Sequence, residues 1–362
     1  MAIRRSVERF YLQRGDRYRV VDGRILNRRL EINVAEHCNL SCRACSHLSP
    51  VVPKSLVDPA KIYRDLSVLA RCYHVKSVRV LGGEPLLHPD LESVIDAIRR
   101  STICDSVWVI TNGRLIPRMT TAFWSSIDLV EVSLYPGQHL GAEAQDACRA
   151  KAKQHGVALR FHVRDEFQES YSEAGTEDDE LVRRIFTTCN VVHRWRCHNV
   201  IDGWFYRCPQ SHFIAKVLRD GAEHVDGIKI DDDPSFPERL LAFLQSPEMP
   251  QACTNCRGTA GRFFPHAQIR RKDFRSRQAV PTQDLVHPRL VGTARLGLAR
   301  LEAATPRPIL DSAENALYSP GLLPIARAAQ ATGRALVRGI RRAPSPTSNS
   351  APELRHTGLL RR

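Results

Sequence analysis

Short runs in which apolar and polar residues alternate recur along the first half of the chain, each separated from the next by a longer stretch of helical period. In "RRLEINVAE", Leu30, Ile32 and Val34 alternate with Arg29, Glu31 and Asn33, the period-two pattern of a half-buried strand. "SVRVLGG", "SVWVITNG", "LVEVSLYPG" and "VALRFHV" repeat the strand signal. Residues 59–72, "LESVIDAIRR" and "AEAQDACRAKAKQHG" carry the helical one. Short β-branched strands divided by amphipathic helices predict βα units and a parallel sheet. Right-handed crossovers curl such a series into a full or partial barrel. The polar segments "EHCN", "GGEP", "TNG", "SLYPG" and "HVRDEF" all fall at the C-terminal ends of these strands. That edge is where barrels of this kind hold their chemistry.

The thiols give the edge a chemical character. The opening "MAIRRSVERFYLQRG" has no apolar run, so it predicts no secretory signal. No run of 18 apolar residues predicts a membrane span. Eleven cysteines in such a chain predict a cytoplasmic protein that uses thiols for metal or redox work rather than for disulfides. Cys38, Cys42 and Cys45 crowd into eight positions just past the first strand. They cannot all pair as disulfides, and three is one short of the set structural zinc prefers, which predicts a metal site with one open position. A second group comprises Cys189, Cys197, Cys208, Cys253 and Cys256. Within it "VIDGWFYRCP" predicts a β-hairpin turning at Asp202-Gly203. A Cys-x2-Cys pair in a set of four also suits zinc. Cys72, Cys104 and Cys148, away from the strand ends, are expected to be buried small hydrophobes.

Charge redirects attention to the C-terminal end. The chain carries a net charge of +14 over 362 residues. From Arg271 onward there are 16 Lys and Arg against 6 Asp and Glu, so +10 of the excess lies there. "PRLVGTARLGLARLEAA" and "LLPIARAAQATGRALVRGIRRA" predict Ala/Leu/Arg helices, and "APSPTSNSAPELRHTG" predicts disorder. The basic amphipathic segment 322–343 suits an acidic partner, a membrane surface or simple packing on its own domain. Excess charge on a tail rather than around the thiols disfavours nucleic acid as the ligand.

Two strand ends together resemble a known family. Cys38-x3-Cys42-x2-Cys45 after the first strand, with Gly82-Gly83-Glu84-Pro85 after the second, resembles the radical S-adenosylmethionine (SAM) superfamily over roughly residues 28–270. The resemblance implies a [4Fe–4S] cluster on the three cysteines, with SAM on the fourth iron. Glu84 is then expected to accept from the methionyl amino group, with Gly82, Gly83 and Pro85 beside it. Asn112, with Thr111, and Ser133 are expected contacts from the next strand ends. The residue before the third cysteine is usually aromatic in this superfamily, but here it is Ala44, so adenine must find a stacking partner elsewhere. Cys189, Cys208, Cys253 and Cys256 resemble the ligands of a twitch or SPASM-like module with one auxiliary [4Fe–4S] cluster. Cys197 is left as an alternate ligand or a hydrogen donor.

The implied fold is α/β: a partial (β/α)6 TIM-like barrel, a small cysteine-rich β-hairpin/helix module, and a basic helical tail that is disordered at its end. The expected division is an N-terminal extension (1–27), the barrel (28–185), the auxiliary module (186–270) and the tail (271–362). The implied chemistry is reductive cleavage of SAM to a 5′-deoxyadenosyl radical, which takes a hydrogen atom from the substrate. Only about 28 residues precede the barrel, too few for a leader-binding domain. A small polar substrate of carbohydrate or cyclitol type, dehydrogenated or epimerised, is therefore expected ahead of a peptide. A flavodoxin or ferredoxin would supply electrons, and Arg164, Asp165 and Glu166 would face the substrate mouth. The competing class is a zinc-stapled nucleic-acid-binding protein, which leaves GGEP and the barrel pattern without an explanation.

Overall fold

In the computed structural model, residues 18–138, 140–219, 224–278 and 280–286 are described. The helices expected at 288–304 and 322–343, and the disordered end, lie outside these residues. All that is described lies within one compact unit, Met1–Arg295.

A hairpin of β1 (Arg19–Val21) and β2 (Arg24–Ala35) opens the fold. The βα series follows as α1 (Pro59–Leu69), β3 (Tyr73–Gly82), α2 (Leu91–Arg100), β4 (Cys104–Thr111), α3 (Thr121–Ser126), β5 (Leu129–Leu134), α4 (Ala142–Gln154) and β6 (Ala158–Val163). Strands β2 to β6 pair in sequence order, all parallel. Five alternating runs in the sequence thus become five adjacent strands. On the helix-facing side Leu30, Ile32, Val34, Val78, Val80, Val107, Val109, Val130 and Val132 pack with Ile62, Leu66, Val94, Ile95, Ile98 and Trp124. Each such buried side chain stabilises the fold by ~1.5–3 kcal/mol relative to exposure, so this layer dominates the fold's stability. The opposite face carries Glu31, Asn33, Arg79, Glu131 and Ser133, the polar partners of the same alternation.

The local signals that start α1 are simple. Asp58 accepts from the Ala60 backbone N–H at 2.8 Å, and Pro59 occupies the first helical position, where its missing N–H leaves nothing unpaired.

Beyond β6 come β7 (Glu166–Gln168), α5 (Asp179–Thr187), β8 (His198–Ile201), β9 (Trp204–Tyr206), α6 (Pro209–Leu218), β10 (Gly227–Lys229), α7 (Phe236–Gln245), β11 (Phe263–Pro265) and α8 (Lys272–Gln278). The expected hairpin forms: Ile201 faces Trp204, and the two linking residues Asp202 and Gly203 have φ of 52° and 81°. Two consecutive positive φ values make the type I′ turn whose twist suits adjoining strands. Its first strand, β8, pairs in parallel with β2. The cysteine-rich half thereby adds a sixth parallel strand beside the first one, and one nine-stranded sheet runs through both halves. A separate two-stranded sheet joins β7 to β11. No helix of the described residues is long and apolar enough to cross a membrane.

Candidate active site

The strand ends β2, β3 and β4 meet where the sequence placed its motifs. The Gly83 N–H donates to the Ala35 carbonyl at 2.7 Å, and the Glu84 N–H to the His37 carbonyl at 3.0 Å. A Cβ on Gly83 would stand 2.2 Å from that His37 oxygen, and one on Gly82 would stand 2.2 Å from the oxygen of Ala35. The two glycines therefore let the GGEP backbone lie directly on the root of the cysteine loop.

Glu84 is fully buried. Its carboxylate accepts from the Thr111 hydroxyl at 2.6 Å, the Asn112 N–H at 2.8 Å and the Leu86 N–H at 3.0 Å. Burial pushes its pKa up to about 7, and those three donors offset part of the rise. A carboxylate has about four lone-pair sites, so these bonds leave room for one further donor. Pro85 begins the short turn Pro85–Leu87. Asn112 reaches the cysteine loop itself: its side-chain amide donates to Asn39 Oδ1 at 2.7 Å and lies 3.7 Å from Cys38 Sγ. Ser133 is buried on the same cavity wall, beside Tyr135.

Both thiol sets line one cavity of about 460 Å³. Cys38, Cys42 and Cys45 of the first set and Cys189, Cys208, Cys253 and Cys256 of the second are all in its lining. Burial and the other loop thiols push Cys38 and Cys42 up to about 12, while Gln268 and Asn112 pull the other way. Burial likewise raises Cys208 to about 11, with Cys189 adding to the rise. Such groups are neutral thiols on their own. Only a neighbouring cation of high charge would make several of them thiolates together. Among the described residues no three His, Cys, Asp or Glu side chains gather closely enough for a single metal ion.

Cys197 is elsewhere. It is buried beside Glu31 and Arg79 on the polar face of the sheet and does not line the cavity. Cys72 and Cys148 are buried in the hydrophobic layer, with Cys104 packed against it.

The wall of the site built by residues 263–271 carries no signal in the sequence. After its last cysteine the chain zips onto β7 through β11, then runs antiparallel along the cysteine loop, with Cys42 opposite Gln268. Arg43 N–H donates to the Ala267 carbonyl at 2.8 Å and Ile269 N–H to the Ser41 carbonyl at 2.9 Å. Arg271 donates to the Cys38 carbonyl at 3.2 Å. His266 stacks on Tyr135 with ring centroids 4.7 Å apart, and Phe167 meets both rings edge-on. Tyr135, Phe167 and Trp195 line the cavity. Arg164 and Glu166 line it too, with Arg164 held 3.1 Å from Glu131. Asp165 is tied by its backbone carbonyl to the His266 N–H at 2.8 Å.

No protein-family model matches the chain. Molybdenum cofactor biosynthesis protein 1 from Bos taurus is 30% identical over 118 residues, which are 30% of this chain and 18% of that protein. The GTP 3',8-cyclase of Heliobacterium modesticaldum is 30% identical over 111 residues, 29% of this chain and 33% of the cyclase. With three loop cysteines standing on GGEP, this likeness supports the resemblance drawn from the motifs. Over about 30% of its length the chain is thus similar to proteins of the radical SAM superfamily. It spans only about a fifth to a third of the length of these relatives. Among solved structures, BtrN in complex with AdoMet and 2-DOIA aligns at 18% identity with a TM-score of 0.37, over 64% of this chain and 93% of that one. The cofactors of a radical SAM protein, a [4Fe–4S] cluster and SAM, fit the first donor set, and an auxiliary [4Fe–4S] cluster fits the second. Among the described residues, buried His37 Nδ1, His47 Nε2 and Ser41 Oγ have no hydrogen-bond partner, as expected of a loop completed by another group.

Proposed function

We propose that the protein is a radical SAM enzyme that removes hydrogen from a small polar substrate of carbohydrate or cyclitol type. The observation that carries this reading is the shared cavity: seven cysteines in two sets face one space of about 460 Å³. When bound, the first cluster and SAM would supply the hydrogen-abstracting radical, and the auxiliary cluster would accept the second electron. Cys38, Cys42 and Cys45 would hold the first cluster. Cys189, Cys208, Cys253 and Cys256 would hold the other. Glu84, buried just behind the part of the cavity wall that Gly82 and Gly83 form, would accept from the SAM ammonium group through its remaining lone pair, and Tyr135 or Phe167 would offer adenine the aromatic face that Ala44 lacks. Arg164, Glu166, Gln168 and Gln210 supply the polar lining such a substrate would meet.

Dehydrogenation is favoured over epimerisation. A thiol can return a hydrogen atom in an epimerase, but the one spare candidate for that, Cys197, stands beside Glu31 instead of on the cavity wall. The cyclases' substrate is not carried over, because the likeness covers only about a third of their length.

Anaerobic reconstitution tests the proposal. The protein should turn brown, bind about eight irons in two clusters, and form 5′-deoxyadenosine from SAM under a low-potential reductant. Changing Cys38, Cys42 and Cys45 together to Ala should halve the iron and abolish SAM cleavage. A colourless protein holding only zinc after the same treatment would overturn it.

A further inference from the structure

Residues 263–271 come from the cysteine-rich half, yet two of their side chains end on a sulfur of the other thiol set. His266 Nε2 and Gln268 Nε2 each lie 3.2 Å from Cys42 Sγ and 3.2 Å from each other; the Gln268 amide is a donor in any case, and His266 donates to the sulfur in its Nε2–H tautomer, the one assigned here. Gln268 is oriented independently of that sulfur: its Oε1 accepts from the Ser41 N–H at 2.7 Å, which turns its NH₂ toward Cys42. The His266 ring is held by Tyr135 at 4.7 Å and by Phe167 at 5.1 Å. The backbone bonds from Arg43 and Ile269 fix the whole segment against the loop.

We infer that His266 and Gln268 are positioning residues that donate to the Cys42 thiolate and raise the reduction potential of the first cluster. This rests on the cluster assignment made above. Reduction adds one electron to the cluster, and part of the added charge spreads onto its sulfurs. Donors aimed at a sulfur stabilise the reduced state more than the oxidised one. Both donors stay in place through either state, because other contacts hold them. The strap therefore makes the first cluster easier to reduce, and couples that property to correct folding of the other half.

The test is a redox titration of the reconstituted holoprotein, with dithionite as the electron donor, followed by electron paramagnetic resonance. The signal altered by adding SAM identifies the first cluster. Gln268→Glu keeps the acceptor for Ser41 but removes the NH₂, and His266→Phe keeps the ring but removes its N–H. Each should bind the full iron complement and shift the midpoint to more negative potential. A tenfold loss in the reduced-to-oxidised ratio corresponds to 59 mV for a one-electron couple. Ile269→Ala, which loosens packing without removing a donor, should leave the midpoint unchanged. Assembled clusters with unaltered midpoints in both donor variants would overturn this inference alone. Failure of the wild-type loop to bind iron would instead sink the cluster assignment. If neither variant holds iron, the reduced wild type in D₂O must show an exchangeable deuteron coupled to the cluster that is unaltered when SAM is added. Absence of that coupling would also overturn the inference.

Discussion

A methyl group on residue 83 would sit 2.2 Å from the His37 carbonyl oxygen and 2.7 Å from that of Glu36, both backbone atoms. Neither oxygen can yield without moving the cysteine loop. Gly83→Ala is therefore expected to lose ~3 kcal/mol or more and to lower bound iron, measured together by thermal melting and iron assay. Glu84 has a different signature. In Glu84→Ala the Thr111 hydroxyl and two backbone N–H groups lose their common acceptor inside a fully buried space. Each unsatisfied donor costs ~1–3 kcal/mol, so even the iron-free, SAM-free protein should melt well below wild type. SAM affinity of the reconstituted variant should fall tenfold or more, since a hydrogen bond to a charged group contributes ~1.5–3 kcal/mol. An unchanged melt of the cofactor-free variant would show that Glu84 serves the cofactor alone.

Helix α6 ties the two thiol sets together. It begins directly after Cys208, and its His212 and Lys216 side chains lie 3.1 and 2.6 Å from Glu36, two residues before Cys38. Burial pushes the Glu36 carboxyl up, but the bonds from His212 and Lys216 outweigh it and hold it below the usual range. Glu36→Gln keeps the shape and removes the charge, and should lower the denaturant midpoint by the equivalent of ~1.5–3 kcal/mol. A midpoint within error of wild type would mean that α6 is held by its apolar face, through Phe213 and Ile214, instead. The elements themselves differ in how readable they are from sequence. β2 to β6 were legible because each alternates over at least six residues and a helix separates each from the next, so pairing order comes from chain order. The Asp202-Gly203 turn was legible because its chemistry is local. β7 and β11 have three residues each, too few for any period, and their partners lie about a hundred positions apart. Hence the thiols could be found from spacing, whereas Gln268 and His266, which bind Cys42 from more than 220 positions away, could not.

At the scale of the molecule the question is where the working body ends. Residues past Arg271 still pack on it: Phe274 is completely buried beside Phe213 and Tyr171, and the Thr282 N–H donates to the Gly175 carbonyl at 3.1 Å. Val286 is buried with Ile185 and Ala260, close behind the second thiol set. A chain ending after Val286 should therefore keep its melting temperature, both clusters and SAM cleavage. One ending after Arg270 exposes that packing and should melt lower and lose iron. Each buried apolar residue removed contributes ~1.5–3 kcal/mol, so the deficit should be plain in a thermal scan. Residues 287–362 carry 12 Arg against 4 Asp and Glu, a net +8. Any binding of the full chain to anionic vesicles should weaken steeply with salt and vanish in the chain ending at Val286. If that shorter chain kept its fold and iron but could not cleave SAM, the basic segment would have to enter the active site, and the boundary drawn at Val286 would be wrong.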